Sequence, residues 1–139
     1  MFHYRWHDHK DANNAGTILP LQTIGMIPDE MLKNVKEMIS KRQIDRLWVV
    51  GSNNDTAPII DASLRRLLVI LEKHFASASY LLSKRPSYSD FALYGQLSQL
   101  VNFDPTPREI CHEVSLRTVA WVGLIAVSYT HLRAHETSL

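Results

Sequence analysis

The spacing of apolar side chains divides this chain into helical segments joined by polar turns. The densest pattern runs from Ile60 through Leu64, Leu67, Leu68 and Leu71 to Phe75, recurring every three or four residues and predicting a helix with one broad apolar stripe. Thr56 is its expected N-cap, Pro58 suits its first turn, and Asp61 with Arg65 can pair at i,i+4 on the other side. Ahead of it, Gly51-Ser52-Asn53-Asn54-Asp55 reads as a loop. An earlier helix begins at Pro28-Asp29-Glu30, carries Met31, Leu32, Val35, Met38 and Ile39 at helical spacing and extends to about Arg46; the apolar run Leu47-Trp48-Val49-Val50, ended by Gly51, fits its end or a short extended piece, the helix end being favoured. The first helix is expected from Met1 to about Leu19. Phe2 and Trp6 share one of its faces, Gly16 weakens its last turn, and Pro20 closes it.

Downstream, Tyr80, Leu81 and Leu82 are expected to tuck into the core. Ser87 and Asp90 then stand three apart, the spacing at which a serine and a carboxylate cap a helix start reciprocally. Phe91, Ala92, Leu93, Tyr94 and Leu97 leave this helix almost no polar face, so it is expected to be the central helix, enclosed by others. Gly95 costs it about 1 kcal/mol relative to alanine, which a close backbone approach would explain. Thr106 is positioned to cap a short helix through Ile110 and His112. A final helix from Ser115 is expected to group Leu116, Val119, Ala120 and Gly123, with Trp121 beside them.

Composition narrows the function classes. With 139 residues, 45% hydrophobic and 21% charged, the chain fits one globular domain, and a net charge of +1 argues against a strongly basic nucleic-acid binder. There is no apolar run of about 18 residues and no signal-peptide core, so a cytoplasmic location with no membrane partner is expected. The single cysteine, Cys111, excludes an intrachain disulfide.

Candidate chemistry is sparse. His3 and His7 have the i,i+4 spacing of helical metal ligands, with His9 nearby, but no third ligand stands at a recognisable distance. A solvated or interfacial histidine cluster is the stronger reading, and no metal is assigned. Cys111 and His112 are sequence neighbours whose side chains point about 100° apart on a helix, so they do not form a nucleophile and base pair. Arg5, Arg42, Arg46, Arg65 and Arg66 offer forked donors to an anion. Asp90 is explained by its cap, and no catalytic residue is assigned.

The stretch Arg85–Leu97, RPSYSDFALYGQL, resembles the capping-box helix of the C-terminal, all-helical domain of the glutathione transferase family. Similar matches flank it in RQIDRLWVVGSNNDTAPIIDASLRRLL before, and in FDPTPREI and RTVAWV after, covering most of Met1 to Val122 and pointing to a bacterial subgroup. The resemblance implies an all-α helical bundle over residues 1–126, incomplete, without the family's thioredoxin-like glutathione-binding domain. That domain would be the natural partner of this one, and the parent has room to be a homodimer. Val127 to Thr137, VSYTHLRAHET, resembles a translated sequencing adapter, so residues 127–139 are expected to be a non-native or disordered tail, with the natural sequence stopping near Ala126.

What the resemblance implies for the intact parent is conjugation or exchange of the thiol of glutathione, its co-substrate, with apolar electrophilic small molecules. The isolated chain is expected to be inactive. Phe2, His3 and Trp6, on the helix that in the family lines the cleft between the domains, become substrate-pocket candidates. Packing against the core or the other domain is the blander reading of the same three residues. The alternative for the whole protein is a non-catalytic glutathione transferase-like binding or assembly module.

Overall fold

The protein is described by a computed structural model over residues 1–136, with side chains described through residue 128. Among the described residues it has seven α-helices, one 3-10 turn and no strand. These are α1 (Phe2–His7), α2 (His9–Ile24), α3 (Asp29–Ile44), the turn Leu47–Val50, α4 (Ala57–His74), α5 (Tyr88–Asn102), α6 (Pro105–Val114) and α7 (Leu116–Glu136). Contacts sort them into two units, Met1–Ser63 with Asp104–Pro107, and Leu64–Phe103 with Arg108–Leu139, so that α4 and α6 each contribute to both.

In the first unit, the expected single helix from Met1 is two. Asp8 adopts an extended conformation (φ −93°, ψ 139°), and its carboxylate accepts from the Lys10 N–H at 2.8 Å, ending α1 and capping α2. Pro20 does not close the segment. It lies buried inside α2, whose packing against α3 outweighs the roughly 3 kcal/mol intrinsic penalty of a helical proline. Gly16 has a packing role rather than a terminating one. A Cβ there would stand 2.5 Å from Ser40 Oγ and 3.2 Å from Lys36 Cγ, both on α3. Gly16→Ala is therefore expected to destabilise by about 1–2 kcal/mol despite alanine's better helix propensity, and Gly16→Ala with Ser40→Gly to recover part of it in a thermal melt.

Helix α3 starts after Pro28 as expected, yet none of its residues is fully buried. Leu32, Val35 and Ile39 are half-buried, while Met31 and Met38 are exposed. The Leu47–Val50 run forms a 3-10 turn that ends at Gly51, whose left-handed φ of 67° favours glycine. The next helix is not capped by Thr56. Asn53 Oδ1 accepts from the N–H groups of Asp55 and Thr56, both at 2.9 Å, while the Thr56 hydroxyl closes the loop by donating to Gly51 O at 2.7 Å.

In the second unit, Leu64, Leu68 and Leu71 of α4 are buried, as its stripe predicts. Helix α5 is not enclosed all round. Leu97, Leu100 and Val101 are buried, Phe91, Leu93 and Tyr94 only half-buried, and Gly95 is exposed with nothing near its missing Cβ. The apolar run over-predicts burial because Phe91, Ala92, Leu93 and Tyr94 ring the helix rather than lying on one side. Leu82 likewise stays exposed. On α7 the buried face is Thr118, Trp121, Val122 and Ile125, whereas Leu116, Ala120 and Gly123 are exposed. Ser115 sets that phase: its hydroxyl accepts from Thr118 N and donates to Glu72 Oε2, which also accepts from Arg117 N. A carboxylate at a helix N-terminus meets free N–H donors and the positive end of the dipole. The backbone of α7 is helical through Glu136, and residues 137–139 of the expected tail lie outside the described residues.

Candidate functional site

Helix α1 is only six residues long, too short to hold its place by its own hydrogen bonds. Its position in the first unit comes from side chains. Trp6 and Tyr4 are buried, and Arg5 makes a two-pronged ion pair with Asp104, Nε to Oδ1 at 2.8 Å and Nη2 to Oδ2 at 3.0 Å. Asp104 is fully buried just before α6, and beside it Asp11 of α2 accepts from the backbone N–H of Thr106 at 2.8 Å and from its hydroxyl. Thr106 is thus capped by a carboxylate from α2 rather than serving as the cap. The sequence reading missed Asp11 and Asp104, because partners 95 and 99 positions apart leave no local pattern.

The three pocket candidates on α1 separate. Phe2 is half-buried and borders a recess of about 210 Å³ with Gln43, Arg46, Val49 and Val50. His3 borders a different cleft of about 420 Å³, together with Tyr4, His7, Asp61 and Thr106. Trp6, 3% exposed, belongs to the core. His3 Nδ1 lies 2.7 Å from the Ser52 hydroxyl, His7 Nε2 lies 3.2 Å from Asn54 Oδ1, and the two rings sit 4.5 Å apart. Both histidines therefore hold the 51–56 loop. Burial lowers the His3 pKa, helped by His7 and the amino terminus and opposed by Asp61, so its neutral form is favoured. Among the described residues no three His, Cys, Asp or Glu side chains are grouped to hold a metal ion.

The arginines also separate. Arg5 is committed to Asp104, and Arg65 reaches Glu113 at 3.3 Å. Arg46 borders the Phe2 recess. Cys111 is fully buried, and burial pushes its thiol up to about 11, removing the thiolate that a nucleophile requires. Iodoacetamide at pH 8 is expected to alkylate Cys111 about a hundredfold more slowly in the native protein than in denaturant, followed by mass spectrometry. Equal rates would place the thiol in water.

In the second unit, Asp90 is fully buried at the start of α5. Its Oδ2 accepts from the Ser87 N–H at 2.9 Å and from the Ser87 hydroxyl at 2.7 Å, and its Oδ1 accepts from the Leu81 N–H at 2.8 Å. The bond from the Ser87 N–H is the carboxylate arm of the expected pairing, whereas the hydroxyl bond, and the bond from Leu81 that ties down the segment before the helix, are not part of that expectation.

A family model for the glutathione S-transferase C-terminal domain matches residues 42–136, more than half of the chain. The chain belongs to this family. No curated protein and no solved structure matches it significantly. Within this glutathione S-transferase C-terminal domain, the matched span starts in the last turn of α3 and takes in Arg46, the 3-10 turn, α4, the Ser87–Asp90 pair and the described part of α7. Helices α1 and α2 precede it. The span also takes in residues 127–136, within the stretch that resembles an adapter. No single described helix is long and apolar enough to cross a membrane.

Proposed function

We propose that this domain is the helical, substrate-shaping half of a cytoplasmic glutathione transferase-like protein. In that protein a thioredoxin-like domain binds glutathione and activates its thiol, and the thiolate attacks an apolar electrophile. The observation that carries this reading is the family match over residues 42–136. It is supported by the Phe2 recess, whose walls of Val49 and Val50 suit an apolar body. Phe2 and His3 are the proposed substrate-facing residues, and Trp6 supports them from within the core. The chain's own groups fit a non-catalytic share in the chemistry: Cys111 is held as a thiol, and Asp90 has its oxygens engaged by backbone and hydroxyl donors.

The test is glutathione conjugation to 1-chloro-2,4-dinitrobenzene. The chain alone is expected to leave the uncatalysed rate unchanged. The same domain joined to the thioredoxin-like domain from its own reading frame is expected to accelerate it, and a folded two-domain protein with no acceleration would overturn the transferase reading. A second reading, a binding or assembly module without turnover, is favoured by one observation. Met26, Met31, Met38 and Trp48, in and around α3, leave 53–90% of their surface exposed, which is unusual for such large apolar side chains. An upstream frame lacking a thioredoxin-like domain would favour that alternative, and either form is compatible with a homodimer.

A further inference from the structure

We propose that the recess beside Phe2 selects small apolar molecules bearing one carboxylate, with Arg46 as the group that reads the charge. The proposal deepens the transferase reading by naming a substrate class. Binding itself does not depend on turnover.

The recess is built from three places in the first unit. Phe2 comes from α1, Gln43 from the last turn of α3, and Val49 and Val50 from the 3-10 turn that follows. Arg46 stands between the last two elements, and its backbone is fixed on both sides. Its N–H donates to Gln43 O at 3.1 Å, and its carbonyl accepts from Val49 N at 3.0 Å. Gly51, in the left-handed region, then ends the turn. The point from which the exposed Arg46 side chain leaves the backbone is therefore set by local geometry rather than by a distant partner.

Charge decides what this recess prefers. The adjacent carboxylate, Asp45, is engaged by Lys41 at 2.9 Å. Among the described residues Arg46 has no carboxylate partner, in contrast to Arg5 and Arg65, which pair with Asp104 and Glu113. A guanidinium beside an apolar surface favours an anion that accepts through two oxygens, and a carboxylate matches its fork. The Gln43 amide adds a donor and an acceptor at the same rim. A volume of about 210 Å³ limits the apolar part to one ring or a short chain. A recess this small and open supports affinity in the millimolar range, so the charge preference is the quantity to measure.

The experiment titrates the chain with 3-phenylpropionate and with its uncharged isostere 3-phenylpropionamide, following amide chemical shifts. The carboxylate is expected to bind about fivefold more tightly, the size of one partly exposed charge-assisted contact. Arg46→Met is expected to abolish the preference and Arg46→Lys to keep part of it. Arg42→Met, one turn earlier and outside the recess, is expected to leave it intact. Phe2→Ala is expected to weaken both ligands alike. Equal affinities, a preference that survives Arg46→Met, or no binding of either probe at 20 mM, roughly ten times the expected dissociation constant, would overturn the proposal. Failure of conjugation with the preference intact would remove the transferase reading alone. Conjugation without any carboxylate preference would remove this proposal alone.

Discussion

Replacing Arg5 with methionine is expected to destabilise the protein by about 3–5 kcal/mol at pH 7, more than any surface substitution on the same helix. The reason is the carboxylate left behind. Asp104 is completely buried, and Arg5 supplies both of its short charged contacts. Burial already raises the Asp104 pKa, the Arg5 hydrogen bonds and charge opposing it, with Asp11 adding to the rise and the amino terminus countering it. Without the guanidinium the shift upward grows. A carboxyl whose folded pKa lies above its unfolded value favours the folded state below the unfolded value, and that contribution is lost as pH rises through the folded pKa. The loss in Arg5→Met should therefore shrink as pH falls toward 4, in urea melts across pH 4–8. Arg5→Met combined with Asp104→Asn should recover much of the stability at pH 7, because the uncompensated charge is gone. A pH-independent loss, or no recovery in the double variant, would show that Arg5 acts through packing alone.

That ion pair also marks the boundary of what the sequence made legible. Arg5 was visible as a cation and read as an anion contact, and it does contact an anion, but one supplied by this chain 99 positions away. Local devices were easier. The α4 stripe, the all-helical class and the Ser87–Asp90 spacing all lie within one or a few helical turns, and the structure contains the corresponding elements. The errors share a different cause. Two buried faces fit almost any apolar-rich helix with a period of 3.6, and on α7 a buried Thr118 marks the true one, hydrogen-bonded to Ser115 where an apolar count passes it over. Intrinsic propensity misplaces Pro20 and Gly16, because the packing of α2 on α3 overrides it. The substrate-pocket candidates were grouped because they share a helix. His3 nevertheless leaves the helix about 100° from Phe2, and Phe2 and Trp6, four apart on one face, lie at different depths, so the three meet different surroundings.

The second large effect is expected at Asp90. Asp90→Ala should cost about 2–4 kcal/mol, more than a typical helix cap, because it strands the Leu81 N–H as well as the start of α5. Ser87→Ala removes only the hydroxyl and should cost about 1 kcal/mol, so the two variants differ by the bonds from the Ser87 and Leu81 N–H groups, which the serine variant keeps. Burial raises the Asp90 pKa, but the Ser87 hydroxyl and the Leu81, Ser87 and Asp90 N–H groups together outweigh it and hold the carboxyl below its ordinary value. A depressed carboxyl contributes stability above its unfolded pKa, near 3.9, and loses it as pH falls through the lower folded value. Wild type and Asp90→Ala should therefore converge as pH falls through that lowered folded pKa if the carboxylate charge is what holds the segment. A gap that persists unchanged into acid would assign the loss to the missing atoms rather than to the charge. Conjugation by a two-domain protein carrying Asp90→Ala, assayed well below its melting temperature, should remain, since this carboxylate fastens the segment before α5 to its start and touches neither the Phe2 recess nor the His3 cleft.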